Sequence, residues 1–249
     1  NIGAYKLARM LGTKRFEELI RDFGFCRTTG FESPSESRGS LGGSMNFQTL
    51  SRVAFGNAIS VTPAQMCGAL GAIINDGMLQ PLHLAESWVD EDGQAVEGLP
   101  RVEPRRVVTA AAAASVRRAM VQVMEQGTGK PGRSEFFEIA GKTGTAWKAV
   151  TIKKDGKFRT VYQDDRICSF IGFLPADKPR LAGMVIIDTP RSKKHASFGG
   201  RIAAPIFRRI AERAMSYYQI PAQFSPETKL LPQAANSTPV RGIPKSISR

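Results

Sequence analysis

The chain has 249 residues, 42% hydrophobic and 23% charged, with 24 glycines and 15 prolines. These proportions exclude a wholly disordered or collagen-like chain and allow one large domain or two small ones. The 35 Lys and Arg against 22 Asp and Glu give a net charge of +13. The positive residues are dispersed, however, with no zinc finger, basic helix or aromatic–basic repeat, so solvated faces are expected and a nucleic-acid partner is not.

Taken in chain order, Ile2 to Leu11 reads as a short apolar helix ended by Gly12. Thr13 is expected to cap a second helix, in which Phe16, Leu19, Ile20 and Phe23 follow the helical spacing before Gly24 stops it. Residues 27–45, rich in Ser and Gly, read as an irregular excursion. Thr62-Pro63-Ala64-Gln65 combines a capping Thr, a Pro at the first helical position and a Gln three residues after the cap. The helix it opens is expected to bury Met66, Leu70, Ile73 and Ile74 and to end at Gly77. Residues 89–106 are polar and read as a hairpin or loop; Thr109 then caps an Ala-rich helix expected to bury Val116, Met120 and Val123 before Gly127. The pattern then changes, with strands expected over Phe136 to Ala146, Arg159 to Gln163, Arg166 to Leu174 and Leu181 to Asp188. The last two are joined by a turn short enough for an antiparallel pair. Ala203 to Tyr218 is expected to be a helix with Pro205 in its first turn and Ile206, Phe207, Ile210 and Ala214 facing inward. Residues 221–249 read as a flexible Pro- and Ser-rich tail following the domain portion at 1–220. Helices first and strands later, without βαβ alternation, argue for an α+β fold.

No apolar run approaches the roughly 18 residues of a membrane helix, and no signal-peptide pattern opens the chain. Because it starts at Asn1 without a methionine, an upstream segment is expected to be missing. Cys26, Cys67 and Cys168 lack metal-ligand spacing, and two histidines cannot build a zinc site. Neither a metal nor a cofactor is expected.

The segment Ala140-Gly141-Lys142-Thr143-Gly144-Thr145-Ala146 carries the chemistry. As a phosphate-binding loop it fails, because position 136, where the first glycine belongs, is Phe. As Lys-Thr-Gly it is a signature of penicillin-binding proteins and class A β-lactamases. A lysine beside a serine nucleophile raises the local positive potential and assists proton transfer. Gly144, with no side chain, lets an extended peptide lie against the strand, and the Thr143 and Thr145 hydroxyls can donate to a substrate carboxylate. A backbone N–H here can serve as half of an oxyanion hole.

Other segments agree. Ala54-Phe55-Gly56-Asn57-Ala58-Ile59-Ser60-Val61-Thr62-Pro63-Ala64-Gln65, Asn75-Asp76-Gly77, Gly127-Thr128-Gly129-Lys130 and Gly199-Gly200-Arg201-Ile202-Ala203-Ala204-Pro205-Ile206-Phe207 stand in this order. Together with Lys-Thr-Gly-Thr they resemble class B penicillin-binding proteins over residues 1 to about 218. Asn1-Ile2-Gly3 looks like the end of that family's Ser-x-Asn motif. An Asn rather than an Asp there favours the septal, FtsI-like type. The family's Ser-x-x-Lys nucleophile motif lies upstream of Ser-x-Asn and is not in this chain; Ser134, Ser169 and Ser197 precede Phe137, Gly172 and Gly200.

The resemblance implies the penicillin-binding transpeptidase and serine β-lactamase-like fold, an antiparallel sheet flanked by helices, with the N-terminal part of the domain missing. It implies a peptidoglycan D,D-transpeptidase that cross-links stem peptides, binds β-lactams and works with other cell-division membrane proteins. Its place would be the bacterial plasma membrane, with this domain facing the periplasm or exterior. Lys142 and Asn1 would be the catalytic residues; Thr143, Gly144 and Thr145 would bind substrate, with the Thr145 N–H in the oxyanion hole. Strict strand alternation puts Lys142 on the face opposite Thr143 and Thr145, so the lysine is expected to curl around the edge or the strand to twist. Two rival readings are a catalytically silent scaffold of the division machinery and a β-lactam sensor.

Overall fold

The computed structural model of the chain describes residues 1–33, 35–85, 87–94, 96, 102–191 and 197–224. The helical group comes first: α1 (Ile2–Leu11), α2 (Thr13–Asp22), α3 (Phe47–Val53), α4 (Pro63–Ile74) and α5 (Ala110–Glu125). Two short ladders stitch its loops, β1 (Ser40–Leu41) with β2 (Ile59–Ser60) and β3 (Met78–Leu79) with β4 (Arg105–Arg106). Then β5 (Ala140–Lys154), β6 (Lys157–Leu174) and β7 (Leu181–Asp188) form an antiparallel sheet in that spatial order, and α6 (Gly199–Tyr217) closes the fold. The architecture is α+β, with α4 and α5 on one face of the sheet and α6 on the other.

Alternation along β6 fills both layers. Phe170 and Leu174 point to α6, where they meet Ala203, Phe207, Ala211 and Met215, while Ile171 and Phe173 point to Leu70 of α4. The α4 start signals act as read: the Thr62 hydroxyl accepts from Gln65 N at 3.1 Å and Gln65 Oε1 accepts from Thr62 N at 2.9 Å. Gln65 Nε2 also donates to the carbonyls of Arg27 and Arg38. This buried amide therefore pins the irregular 27–45 excursion to the helix.

Several expectations need correction. Gly12, not Thr13, is the N-cap of α2, and α3, capped by Asn46, was not expected at all. Residues 147–158, which fall between two expected strands, are themselves strand and turn. β5 and β6 are one continuous hairpin closed by Asp155-Gly156, both at positive φ as a two-residue primed turn requires. The segment from Phe136 to Ile139 lies outside β5 although Phe136, Phe137 and Ile139 are buried. Its backbone is satisfied instead by the C-terminal segment, since Phe136 O accepts from Gln223 N and Phe224 N, and Glu138 N donates to Gln223 Oε1. Residues 221–224 are thus docked on the body, and 225–249 lie outside the described residues.

Two helix stripes are rotated from expectation. In α5 the buried residues are Ala113 and Met124, with Val116 exposed. In α6, which starts at Gly199 and so holds Pro205 well inside, the inward residues include Ala203, Ala204, Phe207, Ala211 and Met215, whereas Ile206 and Ile210 are exposed. In both helices the core face mixes alanines with large residues, Met124 in α5 and Phe207 and Met215 in α6, the last helix keeping Phe207 inward as expected. In α4, Leu70 is buried as expected, but Met66, Ile73 and Ile74 are only half-buried and Gln65, Gly68 and Ala72 go inside.

Candidate active-site strand

Lys142, Thr143, Gly144 and Thr145 lie in the first half of β5, opposite Ile171, Phe170, Ser169 and Cys168 of β6. Among the described residues nothing pairs with the other edge of β5. The Gly144 and Ser169 carbonyls converge on one point between the strands, where both approach Gly199. This makes Gly144 and Ser169 a mutually hydrogen-bonded pair. By antiparallel alternation Thr143 and Thr145 then turn their N–H and C=O groups to the open edge. That is the condition for an added peptide strand and for an outward Thr145 N–H.

The alternation problem resolves by curling. Lys142 starts on the α4/α5 face, and its Nζ reaches over the edge to donate to Thr143 O at 2.7 Å. The surrounding protein crowds the ammonium, although one side stays open to solvent, and this desolvation lowers its pKa below that of free lysine.

Thr143 and Thr145 project to the α6 face. The hydroxyl oxygens of Thr143 and Thr128 are 2.6 Å apart, so one donates to the other and the pair keeps one proton for a ligand. Thr145 Oγ1 accepts from Gly199 N at 3.1 Å, which leaves its own proton free to donate. The start of α6 is wedged against both. A Cβ on Gly199 would stand 2.2 Å from Gly144 O, and one on Gly200 2.0 Å from Thr128 O. Gly199 lets this helix touch the backbone of the strands, and Gly200 lets it touch that of Thr128. Gly144 also has an internal reason beyond substrate access, since a Cβ there would meet Ser169 Oγ at 2.3 Å.

Beyond Thr145, the Arg166 guanidinium sits 4.6 Å from the ring centre of Trp147 and 5.1 Å from that of Phe198. A cleft of about 530 Å³ opens at the same end, lined by Arg52, Asn57, Trp147, Tyr162, Gln163 and Asp164, with Arg52 donating to the Tyr162 hydroxyl. Another cavity, of about 300 Å³, lies in the helical group against Phe23, Arg27 and Leu79 and shares no residue with the strand. Asn1 is exposed at the start of α1, with no side-chain cap bond, and among the described residues no hydrogen bond joins it to the strand. α1 packs on α2 and α3.

Thr128, Trp147, Arg166 and Phe198 were not singled out from sequence as site residues. Thr128 sits in a quoted motif and was within reach; Arg166 and its rings are brought together only by the sheet.

The pattern of the penicillin binding protein transpeptidase domain matches residues 1–212. The chain belongs to this family. Among curated relatives it is similar to stage V sporulation protein D of Bacillus subtilis, at 34% identity over 213 residues, covering 84% of this chain and 32% of that protein. It is also similar to the probable peptidoglycan D,D-transpeptidase PenA of Neisseria gonorrhoeae, at 30% over 243 residues, covering 96% of this chain and 37% of that protein. Among solved structures, penicillin-binding protein 3 of Mycobacterium tuberculosis, complexed with aztreonam, superposes with a TM-score of 0.76 at 31% identity, covering 88% of this chain and 50% of that one. These relatives are of the class B, FtsI-like kind, and the fold is that of their transpeptidase domain. The chain spans about a third of the length of these curated relatives and half of the solved chain. No helix among its described residues is long and apolar enough to cross a membrane.

Proposed function

We propose that this chain supplies the substrate-binding edge of a serine D,D-transpeptidase that cross-links peptidoglycan, at the division septum and on the outer side of the bacterial plasma membrane. The observation that carries the reading is the open edge of β5, with Lys142, Thr143 and Thr145 arrayed along it. A stem peptide ending in D-Ala-D-Ala would add to that edge as a strand. Its terminal carboxylate would accept hydrogen bonds from the Thr145 hydroxyl and from the Thr128–Thr143 pair. The outward Thr145 N–H would hold the oxyanion.

The serine oxygen would bond to the carbonyl carbon of the penultimate residue while its proton passes to a base. The peptide C–N bond then breaks, and D-alanine leaves with a proton on its nitrogen. An amine of a neighbouring stem finally displaces the serine from the acyl ester. Lys142, its pKa lowered, would carry part of this proton traffic, and Asn1 would hold the substrate amide. A β-lactam would acylate the same serine; a relative is known with aztreonam bound. The septal assignment rests on Asn at position 1, and other division proteins of the membrane are the expected partners.

No Ser-x-x-Lys occurs within the 249 residues, so the chain alone should form no covalent adduct with a penicillin. A protein in which it follows a Ser-x-x-Lys segment should gain one adduct, at that serine, by mass spectrometry. An adduct on any serine of residues 1–249 would overturn this placement of the site. A longer protein that stays unmodified would support the silent-scaffold reading instead.

A further inference from the structure

Beyond the sheet proper, β5 and β6 continue as a two-stranded ribbon of six rungs, from Ala149↔Tyr162 to Lys154↔Lys157. At about 3.3 Å per residue its six residues on each strand extend roughly 20 Å beyond the irregularity at Lys148. Between Lys153 and Arg159 the ribbon carries four basic residues and one acidic one. Lys153, Lys157 and Arg159 are exposed, and none has an ion-pair partner among the described residues. The register puts Lys153 beside Phe158 on one face and Arg159 beside Ile152 on the other. Phe158 is 76% exposed.

Positive charge therefore surrounds the ribbon, and exposed apolar groups occur on both faces. A membrane-lying element would gather its apolar groups on one side. The ribbon also prolongs the open edge to which the stem peptide is assigned, so a long substrate bound at Lys142–Thr145 would be carried toward its tip. Fixed positive charge on a projecting ribbon attracts and retains a polyanion through the summed field.

We propose that this ribbon is a docking surface for uncross-linked peptidoglycan, whose stem peptides bear free carboxylates, and that it holds the polymer beyond the scissile peptide. The inference rests on the transpeptidase reading above. It is tested by equilibrium binding, which needs no nucleophile.

Fluorescein-labelled, soluble, uncross-linked peptidoglycan strands are titrated with the full chain and followed by anisotropy. The Lys153→Ala, Lys157→Ala, Arg159→Ala triple variant should bind about tenfold more weakly, with a flatter salt dependence. Exchanging the three for the other basic residue (Lys→Arg, Arg→Lys) should restore binding, and the thermal midpoint should not move. Strands with amidated carboxylates should bind the unaltered chain about as weakly as the triple variant binds native strands. The inference is overturned by equal binding of native strands by the triple variant and the unaltered chain, by undiminished binding of amidated strands, or by no binding by the unaltered chain. Tip-dependent binding to phosphatidylglycerol vesicles in preference to strands overturns it too, in favour of a membrane. Failure of the transpeptidase reading would show elsewhere, in penicillin acylation of the longer protein, which the triple variant should leave unchanged.

Discussion

The two halves of the β5–β6 hairpin are built from the same two strands, with a shift of register between them, and they are different kinds of structure. From Ala140 to Trp147 the hairpin is covered, by α5 and α4 on one face and α6 on the other, and β7 pairs with the matching part of β6. From Ala149 to Lys154 it stands alone, past an irregularity between Trp147 and Ala149. Phe170 is fully buried in the first half, and Phe158 is 76% exposed in the second. Position in the chain does not decide what a phenylalanine does here; cover does. The covered half holds a fixed edge on which polar groups can be placed to a fraction of an ångström. The uncovered half can only present charge.

The largest test of that contrast is a matched pair of truncations. Phe170→Ala should cost about 3–5 kcal/mol, a large share of a domain's stability, whereas Phe158→Ala should change it by less than about 0.5 kcal/mol. Denaturant melts of both variants check this, and similar losses would mean the ribbon is covered after all.

Next in size is Gly199→Ala. The new methyl would be driven into the carbonyls of Gly144 and Ser169, which belong to a ladder and cannot turn aside. A loss of about 1–3 kcal/mol is expected. The covered half should loosen first, seen as faster amide exchange at Gly144 and Ser169 than at Phe173.

Arg166 sits at the joint between the halves. Arg166→Ala removes its stacking on Trp147 and Phe198, worth about 0.5–1 kcal/mol at an exposed site. The emission of Trp147 should shift to the red, while Arg166→Lys should recover part of the effect. An unchanged spectrum would show that the rings do not need the guanidinium.

The smallest effect is electrostatic. The Asp188 carboxyl, on β7 at the same joint, accepts from Lys148 Nζ at 2.9 Å and from the Thr189 hydroxyl, which holds its pKa below the usual aspartate range. A depressed carboxylate favours the folded state above its unfolded pKa, near 3.9, and that contribution is lost as pH falls through the depressed value. NMR titration should show Asp188 ionising below free aspartate, and Lys148→Ala should move it back up.

The same contrast explains what could be read from residues alone. The covered half announces itself: Arg166 to Leu174 has apolar residues on both faces, Lys-Thr-Gly-Thr sits before it, and Thr62-Pro63-Ala64-Gln65 marks its helix start without ambiguity. In the uncovered half apolar residues alternate with basic and polar ones, Val150, Val161 and Ile152 on one face and Phe158 on the other, so 147–158 resembles a loop although Asp155-Gly156 is a strong hairpin signal. The inward faces of α5 and α6 are hard to read because alanines share them with Met124, Phe207 and Met215, so the larger apolar residues alone do not mark the stripe. The Arg166 stack was not legible, since its partners lie 19 and 32 positions away and meet only in the sheet.

The central claim, that the open edge of β5 is an active-site strand, is tested most directly by Lys142→Ala in the protein that carries a Ser-x-x-Lys segment. Penicillin acylation rate and thermal midpoint are measured in parallel. The account predicts a rate lower by about a hundredfold or more, the scale of a lost proton-transfer group, with a midpoint within about 2 °C because the side chain is open to solvent. An unchanged rate, or a fall in rate fully matched by a fall in midpoint, would contradict it.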